Sequence, residues 1–166
     1  MNKEIKLRAA EPSDVVTIFH WRNNPLIYQG SYTQRMQNRQ LTWTEHEIWY
    51  NTRQNWKCFI IQLAEVGDIG YVNISQLDSW TPEIGYAIGE PSLWGRGHGK
   101  RAVELTLDWL REHGYKYTHA TVLDDGERSI RLLQSLGFEC RGKARPGESW
   151  WMKDLSKSPE KIPHPF

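Results

Sequence analysis

The sequence is poor in cysteine and has no long hydrophobic run. Its two cysteines, Cys58 and Cys140, lie far apart and form no CxxC pair with metal-ligand spacing. We therefore expect free thiols in a reducing compartment and no bound metal. No run approaches the roughly 18 apolar residues of a membrane span, and the first residues lack the apolar core of a signal peptide. The expectation is a cytoplasmic protein without membrane association.

An excess of charge of either sign is also missing. The formal net charge is +1, although 25% of the residues are charged. A general nucleic-acid binder normally carries a basic excess or stripe, so no nucleic-acid partner is expected. A chain of 166 residues with 39% hydrophobic residues suits one globular domain with its own core. Tryptophan is abundant instead, with nine residues that can pack in a core or line a pocket.

Hydrophobic periodicity predicts a single mixed α/β domain. The predicted order is a strand, two helices, three strands, a helix, a strand, a helix and two strands. The first strand points Ile5, Leu7 and Ala9 inward, and the helix that follows begins near Pro12 and stops at Pro25.

Three further expectations concern the segments between these elements. Thr44 and Glu47 form a capping box that would begin the second helix. The polar stretch 28–40 is expected to be irregular, either a substrate loop or a mobile segment. The domain is assigned to residues 1–155, and the proline-rich tail 156–166 is expected to be disordered.

A glycine-rich stretch, SLWGRGHGKRA at residues 92–102, follows a predicted strand and opens a predicted helix. A Walker loop would need glycine at Trp94 and Ser or Thr at Arg101, and a dinucleotide fingerprint would need glycine at Lys100. Both are therefore excluded. The setting still favours an anion, because the N–H groups of a first helical turn lack helical partners and glycines allow close approach. On spacing alone, a simple strand-to-helix connection with solvated cations is an equal alternative.

The wider surroundings of this stretch resemble the GNAT family of acetyl-CoA-dependent N-acetyltransferases. Gly97-His98-Gly99 matches the later half of that family's Q/R-x-x-G-x-G/A motif. Its second motif is matched by Ser129, Leu132, Gly137 and Phe138, which have the spacing S-x-x-L-x-x-x-x-G-F. The resemblance extends from EIKLRAA to WWMKDL. It implies a central, mostly antiparallel mixed sheet with about four flanking helices and strands that splay apart at the cofactor site.

Other segments resemble particular branches of the family. The first motif position holds Trp94 where the family has Gln or Arg. A tryptophan there resembles the branch that includes the Rim-type ribosomal protein N-terminal acetyltransferases. FHWRNNPLI and TWTEHEIWY are similar to enzymes that acetylate amino groups on nucleotide-linked sugars. The second resemblance implies substrate contacts from Trp21, Arg22 and Trp49, with Trp43 and Arg39 as further candidates. The alternative for the tryptophans is ordinary core packing.

The reaction implied by the resemblance is acetyl transfer from the sulfur of acetyl-CoA to a primary amine. Such amines are largely protonated at neutral pH, so a base is needed. Glu83 is the candidate base, with a solvated strand glutamate as the alternative, and Ser129 or an ordered water is the candidate acid. A backbone N–H near Ile88 or Gly89 would stabilise the oxyanion. The remaining cofactor contacts are expected from Trp94, Gly95, Arg96, Gly97, His98, Gly99, Lys100, Arg101, Asp125 and Arg128. Of these, His98 is expected to contribute its backbone rather than its ring.

Two positions depart from the family pattern. Gly126 stands where the family often has Asn, and Leu133 stands where it often has the tyrosine acid. The favoured hypothesis is an enzyme that acetylates a small molecule such as an amino sugar. N-terminal acetylation of a protein, an inactive acyl-CoA-binding module and a structural domain that does not bind CoA are the alternatives. A homodimer is compatible with the family.

Overall fold

The computed structural model describes residues 4–156, so the predicted tail beyond Ser156 lies outside the described residues. A seven-stranded open sheet has the order β1-β2-β3-β4-β5-β7-β6. The strands are β1 (Ile5–Ala9), β2 (Lys57–Leu63), β3 (Gly67–Ser75), β4 (Glu83–Ile88), β5 (Tyr117–Leu123), β6 (Glu139–Arg145) and β7 (Glu148–Asp154). All neighbouring strands are antiparallel except β4 and β5, which are parallel. The predicted mixed, mostly antiparallel sheet is confirmed.

Six α-helices accompany the sheet in the described part of the chain, rather than about four. They are α1 (Val15–Asn23), α2 (Pro25–Tyr28), α3 (Tyr32–Gln37), α4 (Trp43–Thr52), α5 (His98–Glu112) and α6 (Glu127–Ser135). The two short helices account for the difference. Pro25 does end α1, but it also begins α2, because the Asn24 side chain accepts the Leu26 N–H and caps a new helix.

The polar stretch 28–40 was expected to be irregular, and this expectation was wrong. It contains α3, and its polar side chains tie it to α1. The Gln34 amide donates to the Arg22 carbonyl at 3.1 Å, and the Asn23 side chain bonds both backbone groups of Leu41. Helix α4 is capped by Thr42 and Glu45, two residues before the predicted pair. Both pairs have the same spacing, so the sequence did not distinguish them.

The two faces of the sheet carry separate hydrophobic clusters. The larger cluster joins residues of α5 and α6, such as Val103, Leu107 and Leu133, to one face of the sheet. The smaller one packs Ile18 and Trp21 of α1 against the other face. Ile5 and Leu7 reach the larger cluster as predicted. Ala9 is exposed, however, and belongs to neither cluster, whereas the next residue, Ala10, packs against the smaller cluster on the other face.

Both cysteines are free, as predicted. Burial raises the pKa of the Cys58 thiol to about 12, so this side chain packs as a small apolar group. Among residues 4–156, no helix is long and apolar enough to cross a membrane, and no group of three or more His, Cys, Asp and Glu side chains is placed to hold a metal ion.

Strands β4 and β5 splay apart, as predicted, and this splay creates the site. Only one residue pair, Glu83 with His119 at the start of β4, is in β-sheet pairing between the two strands in the described part of the chain. Beyond that pair the strands diverge, and a cleft opens in the middle of the sheet.

Candidate active site

The cleft between β4 and β5 has a volume of about 1120 Å³. On one side, which we call the cofactor side, it is lined by the glycine stretch and the N-terminal residues of α5 and α6. On the other, which we call the acceptor side, it is lined by side chains of α1, α4, β3 and β4. A cleft of this size can hold one extended ligand and a second, smaller one.

The register of β3 and β4 decides which β4 backbone groups face the cleft. The Gly89 N–H donates to the Ile69 carbonyl on β3 at 2.7 Å. Because alternate residues of an antiparallel pair point their backbone groups to opposite sides, Ile88 directs its own toward β5. The Ile88 carbonyl indeed accepts the Trp94 indole N–H at 2.8 Å, away from β3. Of the two predicted oxyanion donors, Ile88 therefore faces the cleft and Gly89 does not.

Gly89 and Trp21 instead form a packing pair. A Cβ atom on Gly89 would lie 2.2 Å from Cδ1 of Trp21, so only glycine fits beside this indole. Trp21 is 6% exposed and stacks on Tyr71. Trp21 belongs to the smaller core cluster and does not line the cleft. Its position agrees with core packing, the alternative stated for the tryptophans, rather than with a substrate contact.

The glycine stretch presents backbone donors to the cofactor side. Gly95 and Gly97 have φ angles of 76° and 83°, in the left-handed region that favours glycine. Gly97 caps α5, and the first bond back to it comes from the Arg101 N–H. The N–H groups of Gly99 and Lys100 precede that bond and therefore have no partner within the helix, and the helix dipole adds positive charge to them. This arrangement of donors favours an anion.

Cationic side chains divide between this cleft and a neighbouring groove. Lys100 and Arg128 line the cleft, and the Arg128 guanidinium lies 4.7 Å from the centre of the Trp94 ring. Arg96 and Arg101 line instead a groove between β1 and α5. Asp125 lines the cleft, but Arg35 donates to its carboxylate at 2.8 Å and lowers its pKa.

Glu83 lies on the acceptor side and is held by neighbours. Its carboxylate lies 3.3 Å from the His119 Nε2 atom and 3.2 Å from the Gln76 amide nitrogen. The other ring nitrogen of His119 is 3.2 Å from the Thr81 hydroxyl. Glu83 is therefore an oriented, partly exposed carboxylate at the point where the strands begin to diverge, and it can act as a base for an amine in the cleft.

Two buried oxygen atoms along the cleft lack hydrogen-bond partners among the described residues. They are the Asn73 Oδ1 atom and the Tyr86 hydroxyl. In the described part only one other buried side-chain atom, the Trp151 indole nitrogen, is similarly unsatisfied. Buried polar groups are nearly always hydrogen-bonded in native proteins, so both atoms are available to bond a ligand or an ordered water in the cleft.

Arginine and aromatic side chains form the far end of the acceptor side. The Arg22 guanidinium lies 4.0 Å from the centre of the Trp49 ring, and the Arg53 guanidinium lies 4.8 Å from it. Burial lowers the pKa of both arginines, and no carboxylate lies within ion-pair distance of either among residues 4–156, although the charge of Glu83 attracts Arg53 from farther away. The Arg22 Nη1 atom lies 3.0 Å from the Nδ1 atom of buried His46.

Other predicted residues lie elsewhere or change their role. Trp43 packs edge-on against Phe19, and Arg39 pairs with Glu45, so neither lines the cleft. Ser129 lines the cleft from α6. Leu133 is fully buried in the larger core cluster.

Gly126 begins α6 in a tight turn. A Cβ atom there would lie 3.0 Å from the Leu123 carbonyl oxygen and 3.2 Å from a Val122 methyl group. This crowding accounts for glycine at a position where the family often has Asn.

Several lining residues escaped prediction from the sequence. Arg53 and Asn73 belong to no local motif. Tyr86 alternates with Ile84 and Ile88, which is the pattern of a core strand, and its ring does pack against the core. The only available signal was that a polar hydroxyl occurs in an otherwise apolar face.

Comparisons with known proteins agree with this geometry. The Acetyltransferase (GNAT) domain family matches residues 4–139. An uncharacterised protein of Methanocaldococcus jannaschii is 40% identical over 158 residues, which cover 93% of this chain but only 32% of that protein. A crystal structure of a domain from the same organism, also 40% identical, superposes with a TM-score of 0.87 and covers 92% of this chain and 99% of that one.

More distant structures share the fold. An aminoglycoside acetyltransferase in complex with coenzyme A is 16% identical, with a TM-score of 0.77 and coverage of 91% of this chain and 95% of that one. Spermidine N-acetyltransferase from Vibrio cholerae, with CoA and spermine, is 19% identical, with a TM-score of 0.79 and coverage of 92% and 96%. With the family match over most of its length, the splayed β4–β5 pair and the glycine-capped α5, the chain belongs to the GNAT acetyltransferase family.

Proposed function

We propose that this chain transfers the acetyl group of acetyl-CoA to the primary amine of a small, negatively charged molecule, such as a nucleotide-linked amino sugar. The observation that carries the substrate class is the pair Arg22 and Arg53, two guanidinium groups without carboxylate partners in the described chain. A phosphate or carboxylate would satisfy both. The Trp49 ring contacts both guanidinium groups and so helps to fix their position at the cleft.

The cofactor side fits acetyl-CoA. The N–H groups of Gly99 and Lys100 would hold its pyrophosphate, and the Lys100 and Arg128 side chains add full charges. The Ile88 N–H, free on the β5 side, would donate to the thioester oxygen as negative charge develops there.

The acceptor side fits an amine. Glu83 would take a proton from the ammonium group, directly or through water, and leave a neutral nucleophile. The unsatisfied Asn73 Oδ1 atom would accept an N–H of the same amine and orient it. The nitrogen then attacks the thioester carbon, and the C–S bond breaks as the tetrahedral intermediate collapses.

Two arginines make the far end of the acceptor side positively charged, whereas a polycationic substrate needs negative charge. Two of the structural neighbours are named for aminoglycosides and spermidine, which are polycations. Such a molecule would meet Arg22 and Arg53 at close range and be repelled. The same two groups attract an anion, which supports the substrate class proposed here.

Thiol release from acetyl-CoA with a panel of amines tests this proposal. The panel contains UDP-glucosamine, glucosamine, spermidine, kanamycin and a peptide with a free N-terminus. We expect UDP-glucosamine to exceed the other amines in kcat/KM. Preference for the peptide would support N-terminal protein acetylation instead, and tight CoA binding without thiol release for any amine would support an inactive binding module.

The Arg22→Gln variant tests the anion contact itself. We expect the KM for UDP-glucosamine to rise about 10- to 100-fold, the loss typical of one charge-assisted hydrogen bond. The kcat/KM for glucosamine, which lacks the phosphates, should stay near the wild-type value. Arg39→Gln is the matched control, because Arg39 pairs with Glu45 outside the cleft. An equal loss with both sugars would assign Arg22 a structural role.

A further inference from the structure

The departing sulfur of CoA needs a proton, and the usual side chain for this step is missing. Leu133 occupies the position of the family's tyrosine, is fully buried and has no proton to give. Ser129 lies in the cleft, but an aliphatic hydroxyl is a far weaker acid than a phenol. The acid therefore comes from a side chain on another element of the cleft or from an ordered water.

We propose that Tyr86 is the catalytic acid that protonates the leaving sulfur, a role that rests on the acetyl transfer proposed above. Tyr86 lines the cleft from β4, two residues before Ile88 and on the same face of the strand. Residues so spaced are about 7 Å apart, within the reach of a tyrosine side chain. The sulfur is bonded to the carbon whose oxygen the Ile88 N–H would bind, so it has to lie in this part of the cleft.

The Tyr86 hydroxyl is buried, and no described group meets it at full hydrogen-bonding geometry. The Tyr86 ring packs against the core, which fixes its direction. A rigid, buried donor without an acceptor is costly for the folded protein unless a ligand completes it. A hydroxyl reserved for the sulfur accounts for both the packing and the missing partner.

The surroundings keep the phenol in its donor form. Burial raises the pKa of Tyr86 above its ordinary value of 10.0, and a weak hydrogen bond from the Ser129 hydroxyl to the Tyr86 oxygen offsets part of this, so that the Tyr86 proton itself has no acceptor among the described residues. The group is therefore protonated at neutral pH and becomes an acid only toward a stronger base, such as a thiolate formed inside the cleft.

The step balances in atoms and charge. The amine nitrogen forms a bond to the acetyl carbon, and the C–S bond breaks with its electron pair going to sulfur. The Tyr86 hydroxyl gives its proton to that sulfur and yields free CoA thiol. The amine nitrogen loses one proton as it becomes an amide nitrogen, and one proton returns to the tyrosinate from solvent at the open cleft.

The Tyr86→Phe variant, assayed with acetyl-CoA and UDP-glucosamine, tests this role. We expect kcat to fall about 100-fold or more, the usual loss for a general acid, with the KM for acetyl-CoA within about threefold of wild type. The melting temperature should be unchanged or higher, because the variant removes an unsatisfied buried hydroxyl. Tyr117→Phe, outside the cleft against Trp80, is the matched control and should keep wild-type kcat. A full rate in Tyr86→Phe together with a large loss in Ser129→Ala would overturn the proposal in favour of Ser129.

A second measurement needs no amine. The thiol of bound CoA is titrated by the ultraviolet absorbance of its thiolate, in wild type and in Tyr86→Phe. A hydrogen bond from Tyr86 stabilises the thiolate, so the thiol pKa should be lower in wild type than in the variant. If wild type acetylates no amine of the panel but the thiol pKa shifts, the proposed function fails, whereas the hydrogen bond from Tyr86 to the sulfur stands. Identical titrations in the two proteins would overturn the assignment of Tyr86.

Discussion

The two sides of the β4–β5 cleft are built in different ways. The cofactor side depends on backbone groups that lie within a few residues of one another, from Gly95 to Lys100. The acceptor side depends on side chains brought together from separate elements: Arg22, Trp49, Arg53, Asn73 and Glu83. A backbone site can be specified by a short motif, whereas a side-chain site exists only once the tertiary structure has formed.

The Glu83→Gln variant is expected to have the largest effect and to act on the acceptor side alone. Glutamine keeps the size of the side chain but lacks the basicity needed to deprotonate an ammonium group. We expect kcat/KM for the amine to fall about 10²- to 10⁴-fold, while the CoA dissociation constant measured by calorimetry stays unchanged. An unchanged rate would mean that the base lies elsewhere, and weaker CoA binding would break the separation between the two sides.

The Gly97→Ala variant is expected to have an intermediate effect and to act on the cofactor side. Alanine at a φ of 83° costs about 1–2 kcal/mol of conformational energy. Relaxation of this strain would turn the first N–H groups of α5 away from the phosphates. We expect the CoA dissociation constant to rise about 10-fold, the equivalent of about 1.4 kcal/mol.

The chain offers a matched control for this substitution. Gly114, just beyond the other end of α5, has a φ of 84°, and a Cβ atom on either glycine would meet nothing within 4 Å. Gly114→Ala should therefore lower the melting temperature by a similar amount without changing CoA affinity. Weaker CoA binding in both variants would show that general stability, rather than the donor geometry at residue 97, controls affinity.

The same contrast explains what the sequence could predict. The strand, glycine turn and helix around residues 92–102 were predictable, because Gly95 and Gly97 meet a local conformational need. The function of neighbours Trp21 and Arg22 was not. Successive residues of a helix point about 100° apart, so one enters the core and the other lines the cleft.

Tyr86 and Gly89 are two further residues whose roles could not be predicted from the sequence. Tyr86 alternates with isoleucines as a core residue does, and only the packed structure reveals that its hydroxyl is left without a partner. Gly89 resembled an oxyanion residue by position along β4. In the register of β3 and β4, the Gly89 N–H donates to the Ile69 carbonyl. The sequence around Gly89 does not show this register.

The smallest expected effect is on the pH dependence of stability, and it comes from His46, which lies beside Arg22 of the acceptor side. Its Nε2 atom lies 2.8 Å from the Val15 carbonyl, and its Nδ1 atom faces the Arg22 guanidinium. A guanidinium only donates and a carbonyl only accepts, so the ring has to be neutral with its proton on Nε2. Burial lowers the pKa of His46 from its ordinary 6.5.

This depressed pKa makes stability depend on pH in a definite direction. Below pH 6.5 the unfolded chain takes up a proton at His46 that the folded chain resists, so the free energy of unfolding falls as the pH drops. One pH unit costs at most about 1.4 kcal/mol, which corresponds to at most about 3–6 °C in melting temperature. His46→Gln should lose this part of the decrease between about pH 7.5 and 5.5, whereas His113→Gln, which changes an exposed histidine, should keep it. Equal pH slopes in all three proteins would mean that the His46 proton is not the link between the core and Arg22.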